Sequence, residues 1–257
     1  MHNWYHGLLG TNESLYGWMD EGFASYADDR VLAFLNNDTG FASGGAYRSY
    51  FSLVKSGKEE PLTTHADHYN LNAAYSPAVY SKGEVFMEQL GYIVGAPVRD
   101  NILLEYYKQW RFKHPNTTDF IRIAEKVSDM KLDWYKEYWI NSTKTIDYSI
   151  DSLWEENGMT NVRIKRNGLM PMPIDVQLTF KDGSKEMHYV PLDLMYGVKP
   201  IEDKTVARKV YEPWNWTSET NIISTKKKLF DFTAVEIDPS QRMADVERKN
   251  NKLEPKW

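Results

Sequence analysis

Between Leu15 and Leu35, the apolar residues Trp18, Phe23, Tyr26, Val31 and Phe34 recur at roughly helical spacing around the charged cluster Asp28-Asp29-Arg30, which predicts an amphipathic helix. The stretches Tyr80 to Val94 and Val98 to Phe112 repeat the pattern. In the second of these, Ile102, Tyr106 and Trp110 stand four residues apart, as a buried stripe requires, and Pro97 suits a first helical turn. Thr117 or Thr118 is placed to cap a further helix with Phe120, Ile121, Ala124 and Val127 on one face, and Leu132, Tyr135 and Trp139 mark another. After Asn141-Ser142-Thr143 the period changes from helical to alternating. Ile174-Asp175-Val176-Gln177-Leu178-Thr179-Phe180 reads as a half-buried strand, Lys181-Asp182-Gly183-Ser184 as a turn, and Met187, Tyr189 and Pro191 as the partner strand of a hairpin. Val162 and Ile164 before it, with Phe230, Phe232, Val235 and Ile237 after it, suggest more strands of an Ig-like β-sandwich. The expected fold is α+β and multidomain, with a mainly helical region over residues 1–146 and a β-sandwich over 147–257. The charged, proline-containing tail from Asp245 to Trp257 reads as a loose terminus.

Composition narrows the function classes. Hydrophobic residues make up 42% and charged residues 26%, ordinary globular usage. A net charge of −5 gives no basic footprint, so nucleic acid is not an expected partner, and the run Lys226-Lys227-Lys228 reads as a solvated strand end. No cysteine is present, so there is no disulfide framework, no thiolate nucleophile and no cysteine-type zinc site. A metal here must use histidine and carboxylate. No apolar run is long enough for a transmembrane segment, and Met1-His2-Asn3-Trp4 is not a signal peptide.

His2, which opens His2-Asn3-Trp4-Tyr5, is followed after an eighteen-residue gap by Glu21, which opens Glu21-Gly22-Phe23-Ala24. Further along stands Tyr75-Ser76-Pro77-Ala78-Val79-Tyr80-Ser81-Lys82-Gly83. In order, wording and spacing, these segments resemble the M1 (gluzincin) family of zinc aminopeptidases. In that pattern the second histidine of H-E-x-x-H precedes a tryptophan and an aromatic residue, the distal glutamate sits in N/D-E-G-F-A, and a tyrosine opens Y-x-K-G. The resemblance implies a thermolysin-like catalytic subdomain of helices, one zinc ion with His2 and Glu21 among its ligands, and peptide or protein N-termini as substrate. It maps the transition-state tyrosine onto Tyr80, whose neutral phenol would donate a hydrogen bond to the carbonyl oxygen as water attacks. Tyr75 coincides with a second tyrosine of the family site, and Asp20 stands as a group beside the ligand Glu21. Bacterial members with similar motif wording are often exported, which makes a periplasmic or secreted location the one implied.

The resemblance has gaps. Only Met1 precedes His2, whereas the family pattern places the first histidine and the general-base glutamate four and three residues ahead of it. The chain is therefore expected to be a C-terminal piece of the enzyme, inactive alone, with self-association through a face that a missing half would cover. The rival reading is an M1-like scaffold without catalysis, acting as a protein-binding adaptor. His6, four residues after His2, could pair with it on one helix face, but the family position is usually non-ligating. His65 and His68 read as surface histidines of a polar loop, and Trp214-Asn215-Trp216 as packing in preference to a sugar-stacking platform.

Overall fold

The computed structural model describes residues 5–255 and divides into two compact units, 1–143 and 144–257. The class is α+β: helices make up the first unit and two sheets the second. No helix among the described residues is long and apolar enough to cross a membrane.

The first unit contains α1 (Tyr5–Leu8), α2 (Glu13–Leu35), α3 (Gly44–Ser56), α4 (Asn72–Ser76), α5 (Gly83–Val94), α6 (Ala96–Trp110), α7 (Thr117–Ser128) and α8 (Asp133–Trp139). Its centre is α5, all twelve residues of which are buried. A helix apolar or paired on every side belongs inside a large core, and rings from several elements close around it. Phe86 lies 4.9 Å from Trp18 of α2 and 4.8 Å from Tyr135 of α8, and Phe23 meets Phe120 of α7 at 4.8 Å, all centroid to centroid. Polar groups on α5 survive this burial by pairing: Gln89 donates to the Tyr47 hydroxyl at 2.7 Å, and Arg99 reaches Glu88 at 3.4 Å.

Two sequence expectations need adjusting here, and one helix was not expected. The helix expected from Tyr80 begins at Gly83, because Pro77–Lys82 forms a separate π-helical turn. The cap of α7 is Asn116, which accepts from the Thr118 and Asp119 amides while Asp119 accepts from the Asn116 amide, a closed capping box that threonine at 117 or 118 does not provide. Helix α3 has no counterpart in the periodicity reading.

The second unit has β1 (Tyr148–Glu156), β2 (Met159–Arg166), β3 (Ile174–Phe180), β4 (Lys185–Val190), β5 (Ala207–Val210), β6 (Thr220–Thr225), β7 (Phe232–Ile237) and β8 (Lys252–Leu253). They form a three-stranded sheet in the order β1-β2-β6 and a five-stranded sheet in the order β5-β4-β3-β7-β8. The expected hairpin is β3 and β4, paired antiparallel from Ile174–Val190 to Thr179–Lys185, and β3 alternates buried and half-buried residues along its whole length. Phe230 lies outside β7, in a turn where it is exposed.

The tail is not loose. Asp245 is buried and its carboxylate accepts from the Tyr148 and Glu247 amides at 2.8 and 2.9 Å and from the Asn251 side chain at 3.0 Å, and β8 then pairs with β7. Charge alone suggests a solvated stretch because the partners that hold it, backbone amides, leave no trace in composition. Lys227 is likewise tied, to Asp182 at 2.9 Å. Trp214 is buried with its ring 5.6 Å from Tyr148, which leaves only Trp216 of that pair at the surface.

Candidate active site

Asn12 starts α2 by accepting hydrogen bonds from the Ser14 and Leu15 amides, at 3.1 and 3.2 Å. The helix kinks at Tyr16, where the backbone leaves helical geometry, and the straight run beyond it carries Trp18 inward. Two residues along that run, Asp20 is buried and Glu21 half-buried. Across from them His6, on the short α1, brings Nδ1 to 3.5 Å from Asp20 Oδ2. His6, Asp20 and Glu21 each present a ligand atom, and these atoms all lie within 4.8 Å of one another. Imidazole and carboxylate are the donor types zinc takes when no thiolate is available, so the residues present suit that ion. His2 lies outside the described residues.

Tyr80 reaches the same place from the π-helical turn Pro77–Lys82. A π turn holds more residues than an α turn and so changes the face on which a side chain falls, and such turns recur at functional sites. The phenol of Tyr80 hydrogen-bonds the Glu21 carboxylate. Burial, that bond and the negative charge of Glu21 together hold the hydroxyl pKa well above its ordinary value, so Tyr80 is a neutral donor at any physiological pH. The Tyr75 hydroxyl is raised too, by burial first and then by Glu21 and Asp20. Its ring stands edge-on to Tyr69 at 5.2 Å.

The π turn is pinned on several sides. Lys82, its last residue, is buried and pairs with Glu59 at 2.7 Å and with the Ser142 carbonyl at 3.1 Å. Burial pulls the ammonium pKa down while Glu59 opposes the fall. The Trp139 indole donates to the Lys82 carbonyl at 3.3 Å, and Ser81 bonds Ser49 of α3 at 2.9 Å. On the last side glycine faces glycine: a Cβ on Gly22 would lie 2.6 Å from Gly83 Cα, and one on Gly83 would lie 2.8 Å from the Trp18 carbonyl oxygen.

Of the residues singled out from sequence, Glu21, Tyr80, Tyr75 and Asp20 therefore stand together. The grouping of His6 with the two acids was not foreseen, and neither were Glu59 and Ser49. The histidine spacing that would signal His6 was present but pointed toward His2. His65 and His68 do not join the site; their rings lie 4.9 Å apart, and His65 accepts from the Asp67 amide.

The Peptidase family M1 domain model matches residues 1–139, more than half of the chain and all of this site. The chain belongs to peptidase family M1. Over 132 residues it is 24% identical to a leukotriene A-4 hydrolase homolog of Botryotinia fuckeliana, an alignment covering 46% of this chain and 19% of that protein. A leucine aminopeptidase 2 of Neurospora crassa is 25% identical over 179 residues, 67% of this chain and 25% of the relative. The M1 chain thus spans about a fifth to a quarter of the length of these relatives. Its fold is similar to that of Legionella pneumophila aminopeptidase A, solved in complex with aspartic acid, with a TM-score of 0.58 at 11% identity, covering 95% of this chain and 26% of that one.

Proposed function

We propose that this M1 chain contributes to a zinc aminopeptidase that hydrolyses the peptide bond at the N-terminus of peptides or proteins. Glu21 and His2 would hold the ion, with His6 and Asp20 beside them. Zinc, when bound in such a site, lowers the pKa of a water molecule to about 7 and so supplies a nucleophile at neutral pH. The chain's own contribution to the barrier is Tyr80. Its neutral phenol donates its one proton to Glu21 in this structure and would turn that proton to the carbonyl oxygen as that oxygen gains negative charge. Tyr75 lines the same wall. The observation that carries the reading is this convergence of Tyr80 on Glu21 within residues 1–139, the part of the chain that the M1 model matches.

The general base and the first histidine of the family motif do not occur in this sequence ahead of His2, so the chain by itself is proposed to be inactive. Within the same proposal, residues 147–257 form an Ig-like sandwich from their two sheets, the helical residues 1–146 are one half of the catalytic domain, and the enzyme works outside the cytoplasm. Self-association belongs to it as well, and exposed apolar side chains at Phe34, Leu35 and Phe112 support it.

Zinc stoichiometry by mass spectrometry tests the reading on this chain and on a chain extended ahead of Met1 so that it carries the first histidine and the general-base glutamate of the family motif. About one zinc per extended chain, lost in Glu21→Gln, is the expected result. Zinc in neither form would favour the adaptor reading.

A further inference from the structure

Gly22 and Gly83 both sit inside helical backbone, where glycine is a poor choice. Neither has a positive φ, and Gly83, at φ −63° and ψ −40°, has a conformation that alanine adopts readily. Conformation therefore does not call for glycine at these two positions. Space does. A methyl group on Gly22 would meet Gly83 Cα at 2.6 Å, Gly83 carbonyl carbon at 2.7 Å and the Val79 carbonyl oxygen at 2.9 Å. A methyl group on Gly83 would meet the Trp18 carbonyl oxygen at 2.8 Å and Gly22 Cα at 2.9 Å. All the atoms met are backbone, so no side chain can rotate away. Relief requires the two segments to part by about 1 Å, the gap between these distances and ordinary carbon contact.

The contact lies where separation matters to the site. Gly22 is the neighbour of Glu21, and Gly83 follows Tyr80 by three residues. We infer that Gly22 and Gly83 are positioning residues, whose backbone-to-backbone contact sets how close the Tyr80 hydroxyl comes to the Glu21 side of the site. The inference rests on the reading of Tyr80 as the oxyanion donor. Glu21, Asp20 and His6 all belong to α1 and α2, on one side of the contact, so parting the segments leaves that donor set whole and withdraws the π turn that carries Tyr80, with Tyr75 just ahead of it. Rate and metal should then separate, which a merely structural glycine pair would not produce.

The test uses the zinc-loaded, upstream-extended enzyme with Gly83→Ala, Gly22→Ala, Tyr80→Phe and the double variant Gly83→Ala/Tyr80→Phe. Each glycine variant is expected to keep its zinc and its melting temperature within about 4 °C, hold KM, and lose about 100-fold in kcat, as a misplacement near 1 Å does. Tyr80→Phe should lose about 100- to 1000-fold, and the double variant should fall less than about 3-fold further, because a donor already removed cannot be misplaced. Multiplying losses in the double variant would overturn the inference. So would an unchanged kcat in Gly83→Ala, or a glycine variant that sheds zinc or fails to fold, since the contact would then serve the fold and not the phenol. Wild-type rate in Tyr80→Phe is a distinct result: it removes the reading of Tyr80 itself, and the inference with it.

Discussion

Both units bury charged groups, but they give them different company. In the second unit Asp245 takes two backbone amides and the Asn251 side chain, and Asp238 takes the Met243 amide at 2.7 Å and the Ser240 hydroxyl at 2.5 Å. These carboxylates tie down loops, and although burial lifts Asp238 to about 6, its partners have no chemistry to offer. In the first unit Asp20 and Glu21 face an imidazole and two phenols, groups that donate, accept and move protons. A perturbed, buried carboxylate is thus a weak sign of function by itself. The kind of partner separates a staple from a site.

Substitutions can sharpen or break that contrast. The largest expected effect is that of Glu21→Gln in the extended protein: zinc content should fall from about one per chain to under about 0.1, with folding by circular dichroism unchanged. Retained zinc would erase the distinction between the two units. Next comes Lys82→Met, which strands Glu59 in the interior and should lower stability by about 3–5 kcal/mol in urea unfolding. The pair Lys82→Met/Glu59→Leu should recover most of that loss. Asp245→Ala is expected to cost about 2–3 kcal/mol through its orphaned amides without altering zinc content, and a change in zinc would mean that the staple also belongs to the site.

The smallest effect depends on pH. Burial, with help from Asp29 and Glu88, lifts Glu84 from 4.5 to about 8, so the folded chain holds a proton that the unfolded chain sheds between those values. Stability therefore declines as pH rises across that window and levels off above it. Glu84→Gln keeps a neutral group able to donate to Asp29, and it should flatten the decline, giving about 1–2 kcal/mol more stability than wild type at pH 9. An unchanged slope in pH-dependent urea unfolding would count against this assignment.

Legibility in the sequence follows the range of the interaction. The stripe of α6 and the alternation of β3 are local repeats, and both can be read from spacing. Glu21 and Tyr80 are readable because their short motifs keep residue types at fixed offsets. The π turn is not, because Pro77 through Lys82 has the same apolar wording an ordinary helix would. Helix α5 is announced by the spacing from Tyr80 to Val94, but the burial of all twelve of its residues is not, because it depends on partners such as Tyr47 and Arg99 that only the tertiary fold supplies. The His6–Asp20 contact, the Lys82–Glu59 pair and the glycine crossing join segments that only the tertiary fold brings together. Gly22 and Gly83 leave a faint trace, as glycines within helical stretches, but nothing in their spacing says that they touch.

The ordered tail bears on how the second unit is made. Its first strand begins at Tyr148, whose amide is claimed by Asp245, 97 residues later, and its five-stranded sheet is completed by β8 at Lys252–Leu253. Partners so distant in sequence cannot meet early in synthesis, and contacts of long range fold slowly. The helical unit can fold while translation continues, whereas the sheet unit must wait with an open β7 edge until its last strand has left the ribosome. During that interval the nascent chain is exposed to the wrong strand partners.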